Sequence, residues 1–181
     1  MSGPGTGDDH VAVRRTRTVG RVSDLHALVL DHVRFEGGDA VVPDDWAERT
    51  DAHLRAGRLR IFVAEQRGRA VGYASLTDEV STWTGQGYAH LDCLYLHEAH
   101  RGRGIGNRLV TAAIDDARRR GLVKVQWQTP AWNRSAIAFY ERLGAAHTAK
   151  ERFTLTLPLH GVCKEGAAPS PGPDDRLPSH P

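Results

Sequence analysis

Arg101-Gly102-Arg103-Gly104-Ile105-Gly106 sets three glycines and two arginines into six residues. The strand-like run Tyr88–Leu96 precedes it, and the helix-like run Asn107–Arg118 follows it. Strand, glycine loop, helix is an arrangement that cradles a pyrophosphate. Glycine adopts φ > 0 and lets the main chain come close to a ligand. Free N–H groups and the positive dipole end at a helix start attract phosphate oxygens. The stretch predicts a nucleotide-bearing ligand held largely by backbone atoms.

Outward from this loop, apolar spacing alternates between the periods of strand and helix. Val11–Thr18 reads as a first strand, and Ser23 as the cap of a helix through Leu25, Leu28, Val29 and Val33. Pro43 opens a second helix, Asp44–Arg55, ending near Gly57. Leu59–Gln66 and Ala70–Thr77 read as strands around an Arg67-Gly68 turn, with a loop at 78–87. Past the glycine loop come a helix to Arg120, capped by Gly121, and a strand Leu122–Thr129. A short helix Ser135–Leu143 stops at Gly144, and Arg152–Leu159 is a last strand by its alternation of Phe153, Leu155, Leu157 and Leu159. The order implies an α/β fold with a mixed sheet.

Composition bounds the rest. The chain has 181 residues, 40% hydrophobic and 25% charged, which suits one soluble domain with one core. Residues 1–10 are Gly-rich and polar and read as disordered. Residues 11–160 form the domain, and 161–181, with Pro169, Pro171, Pro173, Pro178 and Pro181, read as a flexible tail. A net charge of +2 argues against bulk nucleic-acid binding. No apolar run approaches the roughly 20 residues of a membrane span, and no secretory segment is evident. Cys93 and Cys163 are too few for a disulfide scaffold, so a cytoplasmic setting is expected.

The loop fits other phosphate binders poorly. A P-loop needs G-K-[ST], and here Asn107 follows Gly106. The dinucleotide fingerprint belongs in a first βα unit, and these glycines come late. Arg101-x-x-Gly104-x-Gly106 instead resembles the R/Q-x-x-G-x-G/A acetyl-CoA signature of the GNAT N-acetyltransferase family. Leu91–Gly106 is similar to the family's strand and loop, with Glu98 where a proline is common. Asn133-x-x-Ala136-x-x-Phe139-Tyr140-x-x-x-Gly144 resembles its second signature.

The resemblance implies a mixed, mostly antiparallel sheet with splayed central strands flanked by helices. It implies direct transfer of acetyl from acetyl-CoA to an amine. Leu94, Tyr95 and Leu96 would pair with the pantetheine arm as an added strand would, and a backbone N–H near Leu94 would polarise the thioester. Arg101, Gly102, Arg103, Gly104, Ile105, Gly106 and Asn107 would hold the pyrophosphate, and Asn133 would touch the pantetheine or adenosine side. Tyr140 matches the family's general acid; the competing reading is a packed aromatic. Asp92 stands where related polyamine enzymes have an acidic residue acting as base or amine ligand; the competing reading is a structural carboxylate. Strand alternation would turn Cys93 to the opposite face from Asp92, as a small buried residue without a base partner. His90, Cys93, His97 and His100 fit no zinc spacing, so no metal is expected.

The resemblance implies an acceptor pocket built from the first two helices, the strand 3–4 region and the chain's end, which Glu36, Asp78, Trp83 and Trp132 would line; acidic groups with tryptophans suit a cationic amine. Asp44 and Asp45 could equally be helix-cap residues. The leading expectation is acetylation of a small polycationic amine, an aminoglycoside-type antibiotic or a polyamine, with no nucleic-acid or membrane partner. A protein lysine or N-terminal acetyltransferase and a non-catalytic CoA-binding sensor are the alternatives. The family often forms homodimers, and that is all the resemblance implies about assembly.

Overall fold

Apolar alternation and helical stripes build two cores on the two faces of one sheet. The computed structural model describes residues 10–37, 40–155 and 157. In chain order the elements are β1 (Val11–Thr16), α1 (Leu25–Glu36), α2 (Trp46–Arg55), β2 (Leu59–Gln66), β3 (Arg69–Val80), β4 (Gly87–Leu96), α3 (Ile105–Arg119), β5 (Val125–Gln126) and α4 (Arg134–Arg142). The strands lie in the order β1-β2-β3-β4-β5. All neighbours are antiparallel except β4 and β5, which are parallel. Helix α3 buries Ile105, Leu109, Ala113 and Ala117, four residues apart, against Phe62, Ala74, Leu76, Ala89 and Leu91. The other face buries Leu25 and Leu28 of α1 and Leu54 of α2 against Ile61, Val63, Tyr73 and Tyr95. Among the described residues, no helix is long and apolar enough to cross a membrane.

Chain contacts divide the protein into Met1–Ala145 and Ala146–Pro181. The described residues of the second unit carry no helix or strand. The expected last strand is therefore absent over Arg152–Leu155 and at Leu157; its remaining residues lie outside the described set. Phe153, Leu155 and Leu157 are solvent-exposed. Alternation marks a face, but a strand also needs a neighbour to pair with.

Other boundaries move for local reasons. Strand β3 runs on to Val80 instead of stopping at Thr77, and Asp78, Glu79 and Val80 pair with Ala89, Tyr88 and Gly87. Ser23 does not cap α1. Asp24 precedes the helix in a left-handed conformation without a side-chain cap, and the Ser23 carbonyl accepts the Ala70 N–H at 3.1 Å. Asp45 makes no cap bond to α2 either; its carboxylate accepts from Arg49 at 2.7 Å. The strand expected over Leu122–Thr129 shortens to Val125–Gln126, because β5 follows β4 for only two residue pairs.

Candidate functional site

The short β5 leaves β4 with an open edge. β5 pairs only Ala89↔Val125 and His90↔Gln126, while β4 continues to Leu96. Which backbone groups face the opening follows from the antiparallel ladder. The His97 N–H donates to the Val71 carbonyl at 2.9 Å, so odd-numbered residues at this end of β4 bond to β3. Leu94 and Leu96 therefore direct their N–H and C=O groups into the gap. Tyr95 does not, which corrects the expectation that its backbone would pair with a ligand there. Gly72 lies opposite Leu96, and a Cβ at Gly72 would stand 2.8 Å from the Tyr95 carbonyl oxygen. No side chain fits between these strands.

The gap leads to the start of α3. A single 3-10 turn, Glu98–His100, brings the chain round, and Gly104 precedes α3 at φ 75°. Nothing lies within 4 Å of a Cβ built at Gly102 or Gly104, so the loop presents bare main chain. Gly104 offers no side-chain cap, and the first N–H groups of α3 have no intrahelical partner. Helix starts two residues earlier than the sequence reading, at Ile105, which is buried and anchors the turn. Gly102, Arg103, Gly104 and Asn107 are exposed around it. Arg101 turns the other way. Its Nε donates to the Leu96 carbonyl at 3.0 Å, and its guanidinium lies 4.8 Å from the Phe35 ring centre and 5.9 Å from that of Tyr95.

Helix α4 lies against the start of α3 and against Trp127, just past β5. The Asn133 Oδ1 accepts the Ala136 N–H at 3.1 Å and caps the helix. That leaves the Asn133 amide N–H groups for any ligand. Phe139 packs on the start of α3, its ring 3.6 Å from where a Gly106 Cβ would stand. This contact fixes the next residue, Tyr140, whose ring meets Trp127 at 5.1 Å. Burial pushes the Tyr140 phenol up to about 12, with Glu36 and Cys93 adding to the shift. The hydroxyl thus keeps its proton at neutral pH and lies within electrostatic reach of Glu36 on α1 and Cys93 on β4.

Asp92 is a bulged residue. Ser75 pairs with Cys93 and Leu76 with Leu91, so Asp92 has no opposite number. The bulge resets the alternation: Leu91 and Leu94, three residues apart, both join the α3-side core. Cys93 joins the α1 side, and its Sγ lies 3.6 Å from Asp92 Oδ2. Asp92 and Cys93 therefore meet, contrary to the opposite faces that plain alternation predicts. Burial, then the Asp92 charge, pushes the Cys93 thiol up to about 12, which keeps it protonated and makes it a poor nucleophile.

His32 and Tyr73 belong to this cluster and were missed from the sequence. The Tyr73 hydroxyl lies 2.9 Å from His32 Nδ1, and His32 Nε2 lies 3.3 Å from Glu36 Oε1. The His32 ring stacks on Tyr95 at 5.0 Å. Burial lowers the His32 pKa against the raising effect of Glu36 and Asp92, and burial raises that of Tyr73. The only sequence signal was the His32–Glu36 spacing of four on a helix. Phe35 joins by packing on Tyr95 and Trp132.

Of the expected acceptor residues, Glu36 and Trp132 reach this cluster. Asp78 and Trp83 do not. Asp78 accepts from Arg60 at 3.0 Å and from Arg120, beside Asp116 at the C-terminal end of α3. Trp83, on the β3–β4 connection, is 97% exposed.

The sheet is parted along one strand, with bare main chain and a free helix start at one end and a phenol and carboxylates at the other. The model of the acetyltransferase (GNAT) family matches residues 26–145, and the chain belongs to that family. It is 32% identical over 147 residues to a thialysine N-epsilon-acetyltransferase of Caenorhabditis elegans, covering 81% of this chain and 91% of that protein. It is 34% identical over 90 residues to an L-methionine sulfoximine/L-methionine sulfone acetyltransferase of Salmonella typhimurium, covering 50% and 52%. Among solved structures, an aminoglycoside acetyltransferase from an uncultured soil metagenomic sample superposes with a TM-score of 0.70. That likeness covers 83% of this chain and 99% of the other at 22% identity, and shows the fold alone. The protein is an N-acetyltransferase acting on amines, and its family uses acetyl-CoA as donor.

Proposed function

We propose that this chain transfers acetyl from acetyl-CoA to a primary amine on a small, flexible cation such as the side chain of a diamino acid or a polyamine. The observation that carries the reading is the open edge of β4 at Leu94, with Asp92 bulged two residues before it and the Tyr140 ring 5.1 Å from Trp127, just past β5. The donor fits this chain: Leu94 and Leu96 offer strand-like pairing, and Gly102–Asn107 with the start of α3 offers N–H groups to a pyrophosphate. When bound, the donor supplies an acetyl group on a thioester. The Leu94 N–H donates to its carbonyl oxygen. Asp92 takes the proton of the incoming ammonium, and Tyr140 gives one to the departing sulfur.

The acceptor class follows from charge and rings. Glu36 and Asp92 attract an ammonium, and the Phe35 and Tyr95 faces carry the Arg101 guanidinium. The relative from Caenorhabditis elegans is named for the ε-amine of thialysine, a short linear chain. This favours a linear amine over a bulky aminoglycoside.

Thiol release from acetyl-CoA with thialysine, ornithine, spermidine, an aminoglycoside and a lysine peptide tests the reading. Amine-dependent release is expected with the linear amines first. Equal rates with and without every amine would sink it, and peptide turnover alone would move the protein to the lysine-acetylating class. Tyr140→Phe is expected to lower kcat by about a hundredfold, the low end of general-acid effects, with acetyl-CoA binding retained.

A further inference from the structure

Arg101 holds the open edge of β4 and the rings beside it at the same time. Its main chain is fixed, because the Arg101 N–H donates to the Glu98 carbonyl at 3.0 Å and closes the 3-10 turn. Its side chain turns back over β4, where Nε donates to the Leu96 carbonyl at 3.0 Å. That oxygen points into the gap, so a side chain bonded to it stands in the gap. The guanidinium rests 4.8 Å from the centre of the Phe35 ring and 5.9 Å from that of Tyr95. Phe35 meets Trp132 at 5.8 Å, and Trp132 belongs to the connection between β5 and α4. The rings therefore reach from α1 and β4 to the chain that follows β5. Among the described residues no carboxylate pairs with Arg101, so its charge is met by one carbonyl and two ring faces. Arg101 is exposed, and contacts of this kind are modest at an exposed site. An anion binds a guanidinium more strongly, through paired charge-assisted hydrogen bonds.

Two ligands need what Arg101 holds. A strand-like arm pairing with Leu94 and Leu96 needs the Leu96 carbonyl and the room beside it. An ammonium drawn to the same place needs the Phe35 and Tyr95 faces. We propose that Arg101 is an exchangeable gate: it leaves the Leu96 carbonyl when the donor binds, and its departure bares the Phe35 and Tyr95 faces for the acceptor's ammonium. The inference rests on the acetyl-transfer reading and adds a binding order to it. The gate works by competition of like with like. A guanidinium and an ammonium both lie over ring faces, so one excludes the other. Arg101 loses its carbonyl to an arm that pairs along β4, and a pyrophosphate at Gly102–Asn107 offers the freed guanidinium an anion beside its own loop. An amine alone has to displace the guanidinium without offering it an anion. Arg101 thus keeps the acceptor faces covered until the thioester is in place.

Binding measurements on the full-length chain separate the two readings. Coenzyme A without its acetyl group is the donor probe, and the linear amine turned over fastest in the panel above is the acceptor probe. With no amine-dependent thiol release, the acetyl-transfer reading has failed and the gate falls with it. In an active protein, calorimetry should show the amine binding about tenfold more tightly when coenzyme A is bound, as for a gate closed in roughly nine molecules of ten. By linkage the amine should tighten coenzyme A by the same factor. Arg101→Ala should bind the amine without coenzyme A as tightly as the wild type does with it. A coupling that came only from the donor's charge would survive in Arg101→Ala. Phe35→Leu should weaken the amine several-fold in the presence of coenzyme A and shrink the coupling, since both cations lose the same ring. The Arg101 Nε–H resonance, identified by its loss in Arg101→Lys, gives a further readout. Coenzyme A should shift it as the hydrogen bond to Leu96 and the ring current of Phe35 are left behind. Equal amine affinity with and without coenzyme A, an undiminished coupling in Arg101→Ala, or an Arg101 resonance that coenzyme A leaves in place overturns the gate. Should Arg101→Ala fail to fold, the wild-type resonance and the Phe35→Leu coupling still decide it.

Discussion

Replacing Gly72 by alanine tests the geometry of the open edge most directly. The added Cβ would stand 2.7 Å from Leu96 Cδ1 and 2.8 Å from the Tyr95 carbonyl oxygen. The leucine methyl can rotate away. The carbonyl cannot, because it belongs to the β3–β4 ladder, so the strands must part by roughly half an ångström to restore ordinary contact. Overpacking of this kind costs about 1–3 kcal/mol. Against it stands the lower chain entropy of an unfolded alanine, which returns about 0.4–1 kcal/mol because Gly72 is not in a left-handed conformation. A backbone clash places the cost in the upper part of its range, so the net loss is about 1.5 kcal/mol. For a chain of this size that lowers Tm by about 3–6 °C, read by calorimetry. The displaced Leu96 is one of the two residues facing the gap, so KM for acetyl-CoA should rise several-fold with a smaller change in kcat. Gly106→Ala is the matched control. Its Cβ would meet the Phe139 ring at 3.6 Å, ordinary contact, and Tm should not fall. A Gly72→Ala protein as stable as wild type, with unchanged KM, would refute the close approach of β3 and β4.

Asp116, buried at 4% exposure, faces Arg120 Nε at 2.8 Å and Arg60 Nε at 3.5 Å. Asp116→Ala leaves these guanidiniums with Asp78 alone and should cost about 3 kcal/mol in urea unfolding, the low end for a broken buried pair; a loss under about 1 kcal/mol would show the cluster to be solvated. Asn133→Ala removes the α4 cap and should cost about 1 kcal/mol, with kcat falling further than stability because Tyr140 sits on that helix; equal kcat would separate the cap from the site. The folded-state pKa values of His32 and His100 are lowered, chiefly by burial. The unfolded chain therefore binds more protons below the ordinary histidine value of about 6.5, and stability should decline as pH falls through that point. A Tm that rises from pH 7 to pH 5 would contradict the burial of these rings.

The family, the glycine turn before α3 and the cap of α4 are legible because they depend on residue type at fixed spacing. Glycines before a helix and an asparagine that caps a second helix are visible in the order of residues alone. The acceptor end was read less well. The sequence places Asp78 in a loop over 78–87, yet it extends β3 and serves Arg60 and Arg120. Asp92 was found, but its relation to Cys93 was inverted, since a bulge shifts side-chain parity without altering the apolar pattern on either side. His32 and Tyr73 come from elements far apart in sequence, and each alone reads as an ordinary amphipathic position. Only the packing of α1 across β3 and β4 brings them together.

The parted edge of β4 has a consequence for handling the protein. Unpaired strand groups are a template on which foreign strands can add. Arg101 stoppers one carbonyl, that of Leu96, while the groups of Leu94 face the gap. A ligand that pairs with this edge would seal it. Shelf life, tendency to precipitate and tolerance of heating at high concentration should therefore depend on whether the cleft is filled, even where the folding free energy is unchanged. Purification with coenzyme A present would then act as a preservative, protecting the chain from its own neighbours.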